Sequence, residues 1–507
     1  MCGILAYIGD KIDHKELANS LPLINHRGPD HSSYLSVDNV FLGHTRLSIM
    51  DLHSRSNQPF ELGSHILVFN GEIYNFKALV KDHDLNVKTD SDTEVVLAMY
   101  IKYGEKCLDF FNGMFSLFIY DKLSESYFIA RDRLGIKPLY IHESDKGLIV
   151  CSEIKIIQKL IQSDVDAFAV RQYRKLRMTV NNHTWYEKIQ MFPAGFYRKN
   201  KLLQQYWKYI IEEKKAPSDG ELKELIVDAV RLRKISDVPV GTYLSGGLDS
   251  TIITGIAKPD QTWTVGFEEL NEFEWGRLAS ERYKSEHHET LVDKDSFISI
   301  AKEMIAKRME PLSVPNEVLI YLMTESVKKK NTVVLSGEGA DELFWGYDRI
   351  FRWANESSEF SLKEFDDHYC YGSHTDDEVL DYALEGINYS KTIDIVGHYF
   401  QITHLQGLLR RLDNSTMLCS VEARVPFVDH RLVERLAGVP FDWKMGASFK
   451  EPLKRVFKDI LPESIINRKK IGFPVPLSSI FNKENNKTQM DSWLEFNINE
   501  LDKILKR

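Results

Sequence analysis

The chain has 507 residues, 43% of them hydrophobic and 27% charged, enough for two to four domains with ample apolar core. A formal charge of −9 gives no general basic footprint for nucleic acid, and no apolar run approaches the 18 residues of a membrane span. Five scattered cysteines without a C-x-x-C pair argue against a disulfide framework or zinc site, and with no evident signal peptide they predict a cytoplasmic protein.

In chain order, the first 205 or so residues read as short strands and turns. Strands are expected at Gly3–Ile8, Phe41–Leu42 into Leu47–Met50, Ile66–Phe69, Met114–Tyr120 and Tyr127–Arg131, all rich in β-branched and aromatic residues. One helix, Asp92–Tyr103, is signalled by apolar Val95, Val96, Met99 and Tyr100 behind a Ser91-x-x-Glu94 capping box. A polar stretch with Pro217 and Gly220 marks a linker, giving domains at 1–210 and 221–507 joined by 211–220. Beyond it, strands (Val238–Leu244, Thr262–Phe267, Thr332–Leu335) alternate with helices (Glu221–Lys234, Ser250–Ala257, Val318–Lys329), the pattern of a doubly wound parallel sheet. From about Asp348 the pattern is mostly helical.

Cys2 follows the initiator methionine, and loss of Met1 would leave one residue carrying both a thiol and a free α-amine. A thiol titrates near pH ~8.5 and an α-amine near ~7.7–8.0, so nucleophile and base can share this residue. The dipeptide alone is weak, but ordered blocks follow it: His26-Arg27-Gly28-Pro29-Asp30, Gly43 to Ile49, Phe69-Asn70-Gly71-Glu72-Ile73-Tyr74-Asn75, Ser91 to Glu94, Gly113-Met114-Phe115, Arg131 to Tyr140 and Phe192-Pro193-Ala194-Gly195. Together they resemble the glutaminase domain of the class II glutamine amidotransferases. That resemblance implies an α+β N-terminal nucleophile hydrolase fold, layered αββα. Thiolate attack on a carboxamide puts charge on oxygen, and the Asn70 amide and Gly71 N–H are suited to meet it. A guanidinium such as Arg46 can fork the carboxylate of glutamine. By resemblance Ile49, Asn70, Glu72 and Asp92 complete the glutamine site, the acids taking the ammonium. Taken singly, Asn70-Gly71 is also a hairpin turn, and Arg46 and Asp92 a surface ion pair.

A second centre is Leu244-Ser245-Gly246-Gly247-Leu248-Asp249-Ser250, between a strand and a helix. Glycines let backbone N–H groups turn inward at the positive end of the helix, a cradle for phosphate. The lysine of a Walker loop is missing, and the hexapeptide Ser245–Ser250 instead resembles the pyrophosphate loop of ATP pyrophosphatases. Ser336-Gly337-Glu338-Gly339-Ala340-Asp341 begins at another strand end, where ligands sit in such sheets. Asp249 and Asp341 are hard donors suited to Mg²⁺ on ATP phosphates.

With Ser420 to Asp429, Lys450-Glu451 and Arg468 to Phe473, nearly the whole chain resembles the asparagine synthetase family. The resemblance implies ATP bound by Leu244, Ser245, Gly246, Gly247, Asp249, Ser250, Val265, Ser336 and Gly337. It makes Glu338 the residue facing the acceptor and taking a proton from ammonia, and Lys450 the neutraliser of phosphate charge. Lys469 and Lys470 read equally well as solvated charges. Glutamine, ATP and aspartate are the implied small molecules, and a homodimer is a family expectation.

One departure stands out. Aspartate-specific members carry a Thr-Thr-x-Arg element where this chain reads Leu312-Ser313-Val314-Pro315 before Tyr321-Leu322-Met323. Proline cannot hold a carboxylate, so another cation must serve, and Arg424 in the Ser420–Asp429 block is the candidate. A related amidotransferase acting on a different carboxylate, in natural-product or polysaccharide synthesis, is the competing reading. A silent glutamine sensor would need none of Cys2, Asn70, Asp249, Glu338 and Asp341.

Overall fold

The strand Gly3–Ile8 is buried on both faces, and that fixes its place in the first half of the chain. Side chains alternate across a strand. Ile4 and Ala6 join Ile66, Val68, Phe118 and Ile129 of a second sheet, while Leu5 and Tyr7 join Leu17, Ile154 and Ile157 of helices behind it. Two six-stranded antiparallel sheets therefore stack face to face. In the first, Gly3–Ile8 lies between Val40–Arg46 and Gly147–Cys151; in the second, His65–Ile73 pairs with Gly113–Asp121 along its whole length. The helix Asp92–Tyr103 covers the outer face of the second sheet through Val95, Val96 and Met99, completing the αββα layers. Its capping box is not closed. Ser91 caps Thr93, but the Glu94 carboxylate accepts from the Lys88 and Thr89 N–H groups instead of Ser91.

The structure is a computed structural model that describes residues 2–370, 374–446, 449–468, 473–481 and 488–506. Met1, Lys469, Lys470, Ile471 and Gly472 fall outside the described residues.

Two local readings change. Leu47–Met50 is a loop, because the Arg46 guanidinium gathers the carbonyls of Met50, Asp51 and His53 and curls the chain away from the sheet. Asn70-Gly71 lies within the strand His65–Ile73 and not at its end, its two residues paired with Ser116 and Phe115.

The second half holds a five-stranded parallel sheet in the order Glu286–Leu291, Gln261–Gly266, Val240–Tyr243, Val333–Leu335, Glu422–Arg424. Strand order reverses between Val240–Tyr243 and Val333–Leu335, so the loops leaving those two strands share the crevice where ligands bind in such sheets. Both edge strands escaped the sequence reading. Glu286–Leu291 is largely polar and half-exposed; Glu422–Arg424 is three residues long, with two charges, and fully buried. Helices fill the remainder, and among the described residues none is long and apolar enough to cross a membrane.

Candidate active sites

Cys2 opens the first centre at the head of its strand. Its backbone nitrogen donates to Asn70 Oδ1 at 3.0 Å, and its carbonyl accepts from Arg27 Nε at 3.1 Å. Burial pushes the thiol above its usual range, opposed by the positive amino terminus and Arg46. A thiol so placed stays protonated until a local base takes its proton. Asn70 is fully buried, with its amide nitrogen 3.5 Å from Ser116 Oγ. A side chain at position 71 would meet the Met114 carbonyl at 2.1 Å, so only glycine fits beside the neighbouring strand.

The acids of this site form a buried pair under tension. Asp92 Oδ2 accepts from the Ile73 N–H at 2.8 Å, and burial raises this carboxyl to about 6. Glu72 is raised further, by burial and then by the charges of Asp92 and Glu422; Arg424 works in the opposite direction.

Arg46 is placed differently from expectation. Its two terminal nitrogens donate to the carbonyls of Met50, Asp51 and His53 and to Asn57 Oδ1, so no terminal fork faces a glutamine carboxylate in this state. Ile49 is buried in the core, and its carbonyl accepts from the Asp237 N–H at 2.9 Å.

The second centre occupies a cavity of about 960 Å³ at the switch point. Leu244, Ser245, Gly247, Asp249, Ser250, Ser336, Gly337, Glu338, Asp341 and Lys450 all line it. Gly246 has φ +69°, and a Cβ there would overlap Trp275 at 2.4 Å, so the tight loop turn demands glycine. Val265 turns its side chain into the core, and Trp263 and Thr264 line the cavity in its place. Lys450 Nζ lies 2.5 Å from Asp249 Oδ2 and 2.6 Å from Asp341 Oδ1, and these two carboxylates hold its charge against burial. Lys450 holds the position between the two carboxylates; as hard donors at the cavity wall they would also suit a Mg²⁺ that keeps waters and takes its other ligands from phosphates. Among the described residues no group of three or more metal-binding side chains exists, so protein alone would not cage the ion.

The acceptor cation proposed from sequence needs correction. Arg424 is wholly buried and does not line the cavity; it ion-pairs with Glu422 at 2.5 Å and donates to the carbonyls of Arg233 and Ile235. Its free end points toward the other domain, 3.5 Å from Glu72 and over the Tyr74 ring. Period-two alternation turns the Arg424 side chain away from the crevice, while its carbonyl still accepts from the Ser336 N–H at 2.8 Å.

A cation that does line the cavity beside Glu338 is Arg411, on the helix Leu405–Met417. It donates to Glu338 Oε1 at 2.8 Å and Asn316 Oδ1 at 3.3 Å, and its buried Nε meets no acceptor among the described residues. The segment 312–315 where an arginine was missed is a capping turn, pinned by Glu317 and Arg308. Arg468, the other cation missed, donates to the Gly246 carbonyl at 3.0 Å, ion-pairs with Glu272 and stacks on Trp275. Its one sequence signal was its place at the start of the last matching block.

Buried polar contacts join the two halves. Asp413 accepts from Arg27 at 2.9 Å and Lys137 at 3.3 Å, and Asp429, ion-paired within its own half to Arg233 at 2.9 Å, accepts from the Asn112 amide at 3.3 Å.

A nucleophile at the head of a stacked antiparallel pair, joined to a phosphate loop on a parallel sheet, defines a glutamine-dependent amidotransferase that couples glutamine hydrolysis to ATP. Residues 1–207 match the glutamine amidotransferase domain and residues 221–497 match asparagine synthase. The chain belongs to the asparagine synthase family. It is 29% identical to asparagine synthetase [glutamine-hydrolyzing] 1 of Bacillus subtilis (strain 168), over 99% of this chain and 90% of that protein. It is 32% identical to a putative asparagine synthetase of Methanocaldococcus jannaschii over 68% of this chain and 76% of the other, and 28% identical to asparagine synthetase B of Escherichia coli (strain K12) over 93% and 82%.

Proposed function

We propose that this protein makes asparagine from aspartate, using glutamine as nitrogen donor and ATP as activator. The observation that best supports the reading is that the phosphate-type loop and the Glu338–Arg411 pair open onto one cavity.

At the first site, removal of Met1 would make the Cys2 nitrogen, oriented by Asn70 Oδ1, an amine able to take the thiol proton. The thiolate then attacks the carboxamide carbon, Asn70 Nδ2 and the Gly71 N–H meet the oxyanion, and the amine passes the proton it took to the leaving nitrogen, which departs as ammonia. Water cleaves the thioester to give glutamate. Ionised Glu72 and Asp92 face the ammonium of glutamine, and Arg46 shapes the loop that closes over it.

At the second site, a carboxylate oxygen of aspartate attacks the α-phosphorus of ATP and pyrophosphate leaves from the loop Ser245–Ser250, its charge balanced by Lys450 and Arg468. Arg411 holds the acceptor. Ammonia forms the C–N bond, Glu338 takes a proton, and AMP leaves. Mg²⁺ held by Asp249 and Asp341 would neutralise the phosphates. A cytoplasmic setting fits this chemistry, and a homodimer is proposed from the family resemblance.

The test incubates the protein with glutamine and ATP, with and without aspartate, and measures glutamate, pyrophosphate and asparagine. Asparagine and pyrophosphate appear together and only with aspartate. Active glutaminase without aspartate-dependent pyrophosphate overturns the reading of aspartate as acceptor.

A further inference from the structure

Behind the acceptor end of the synthetase cavity lies a second one, of about 440 Å³. Asn316, Tyr347, Asp348, Leu408, Arg411 and Phe473 line both, so the two chambers meet at the arginine that faces Glu338. Small-molecule sites commonly span about 300–1,000 Å³, so the first chamber already has room for a nucleotide with a small acid, and the second is ligand-sized by itself.

The second chamber's walls have a definite character. Arg177, Arg349 and Arg411 line it with one acid, Asp348; Arg411 is paired with Glu338, Asp348 with Arg352, and Arg349 donates to the Asp367 carbonyl. Tyr347, Tyr369 and Phe400 supply flat apolar surface, and the Arg177 guanidinium lies 5.5 Å from the Tyr369 ring centroid. Cationic ends with aromatic walls suit an anion carried on a bulky or ringed body. Free aspartate, with its short span from one carboxylate to the other, cannot both reach the α-phosphate side of Arg411 and fill this space.

We infer that this chamber is an extended acceptor subsite: the protein amidates carboxylates larger than aspartate, bearing a second anionic group, carboxylate or phosphate, that seats against Arg177 and Arg349. The inference rests on the proposed ATP-driven activation of a carboxylate at Arg411 and Glu338. The reaction balances as before. The acceptor carboxylate displaces pyrophosphate from ATP, and ammonia from glutamine then displaces AMP, forming the amide and giving up a proton.

The experiment measures pyrophosphate release by the full chain with glutamine, Mg²⁺ and ATP against three acceptors: aspartate, an aspartyl dipeptide (second anion a carboxylate) and a hexuronic acid 1-phosphate (second anion a phosphate). One of the two larger acceptors supports pyrophosphate release and amide formation, and the responding one identifies the second anion. Arg349 is exposed, so Arg349→Glu tests the wall without burying a charge. It lowers kcat/KM for that larger acceptor about tenfold, an effect of KM and not of kcat, relative to the ATP requirement measured in the same assay. Release with aspartate alone overturns the extended subsite and leaves the asparagine reading standing. Release with a larger acceptor but not aspartate overturns the asparagine reading and leaves the subsite standing. No release with any acceptor while glutaminase is active removes both, and an Arg349→Glu variant that handles the larger acceptor as the wild type does also overturns the subsite.

Discussion

The two centres of this protein solve opposite problems. The Cys2 centre is closed: Cys2, Asn70, Glu72 and Asp92 are all buried, and its charges are answered by protein groups, one of them from the other domain. The synthetase centre is a cleft of about 960 Å³ lined by half-buried acids and by Lys450, which is buried but paired with two of them. Ammonia is a small nucleophile that water would protonate and carry off, so its source benefits from a sealed wall. ATP and a carboxylic acid are large and must enter and leave, so their site keeps open volume and holds its charges in pairs along the wall. Burial therefore dominates the proton chemistry of the first centre, while ion pairing around Lys450 and Arg411 dominates the second.

The sharpest way to break this comparison is to remove the nucleophile. Cys2→Ala takes glutamine-dependent product to background, while product made with added ammonium stays within about twofold, because the second cleft is chemically complete. Failure of ammonium to rescue would end the division into two independent chemistries.

Next in size is Lys450→Met. It leaves Asp249 and Asp341 facing each other and takes one of the cations from the pyrophosphate, and lowers ATP-dependent turnover roughly 10²–10³-fold, with glutaminase activity kept. Arg411→Met follows. Loss of one charge-assisted contact costs on the order of 1.5–3 kcal/mol, so the acceptor KM rises roughly ten- to hundredfold with little change in glutamine KM. Steady-state kinetics with each substrate varied in turn checks both.

The smallest effect probes where the two centres touch. Asp92 is raised to about 6, so it takes up a proton as pH falls through that range, and Glu72 is raised as well by burial and the charges beside it; protonation of either removes charge that would face glutamine's ammonium. Glutamine kcat/KM therefore falls on the acidic side near pH 6, and ammonium-driven turnover lacks that limb. Arg424 favours ionised Glu72 and Glu422 opposes it. Arg424→Met moves the limb to higher pH and Glu422→Gln moves it to lower pH, by several-fold at pH 6, although both residues belong to the synthetase sheet. A limb that moves the same way in both variants reports damage and not charge.

The helix Asp92–Tyr103 and the strand Gly3–Ile8 were legible to the residue, because period and capping are local properties. The junction of strand and helix at Leu244–Ser250 was legible too, since its glycines and turn residues are written in adjacent positions. Strands such as Glu422–Arg424 were not legible: their burial comes from what the rest of the chain lays over them, and a charged triplet carries no hydrophobic period.

What the sequence by itself determined was the division into a thiol-based hydrolase and a phosphate-binding synthetase. The tertiary structure alone decided which cation lies beside which acid. Arg424 sits two residues from Glu422 in a matching block, yet the strand pleat turns it toward Glu72; Arg411 stands in an unremarked helix, yet packing brings it to Glu338. Lys450 is 201 positions from Asp249 and bonds it at 2.5 Å. Coulomb attraction acts through space with no memory of chain separation, so only the packed fold can say which charges meet.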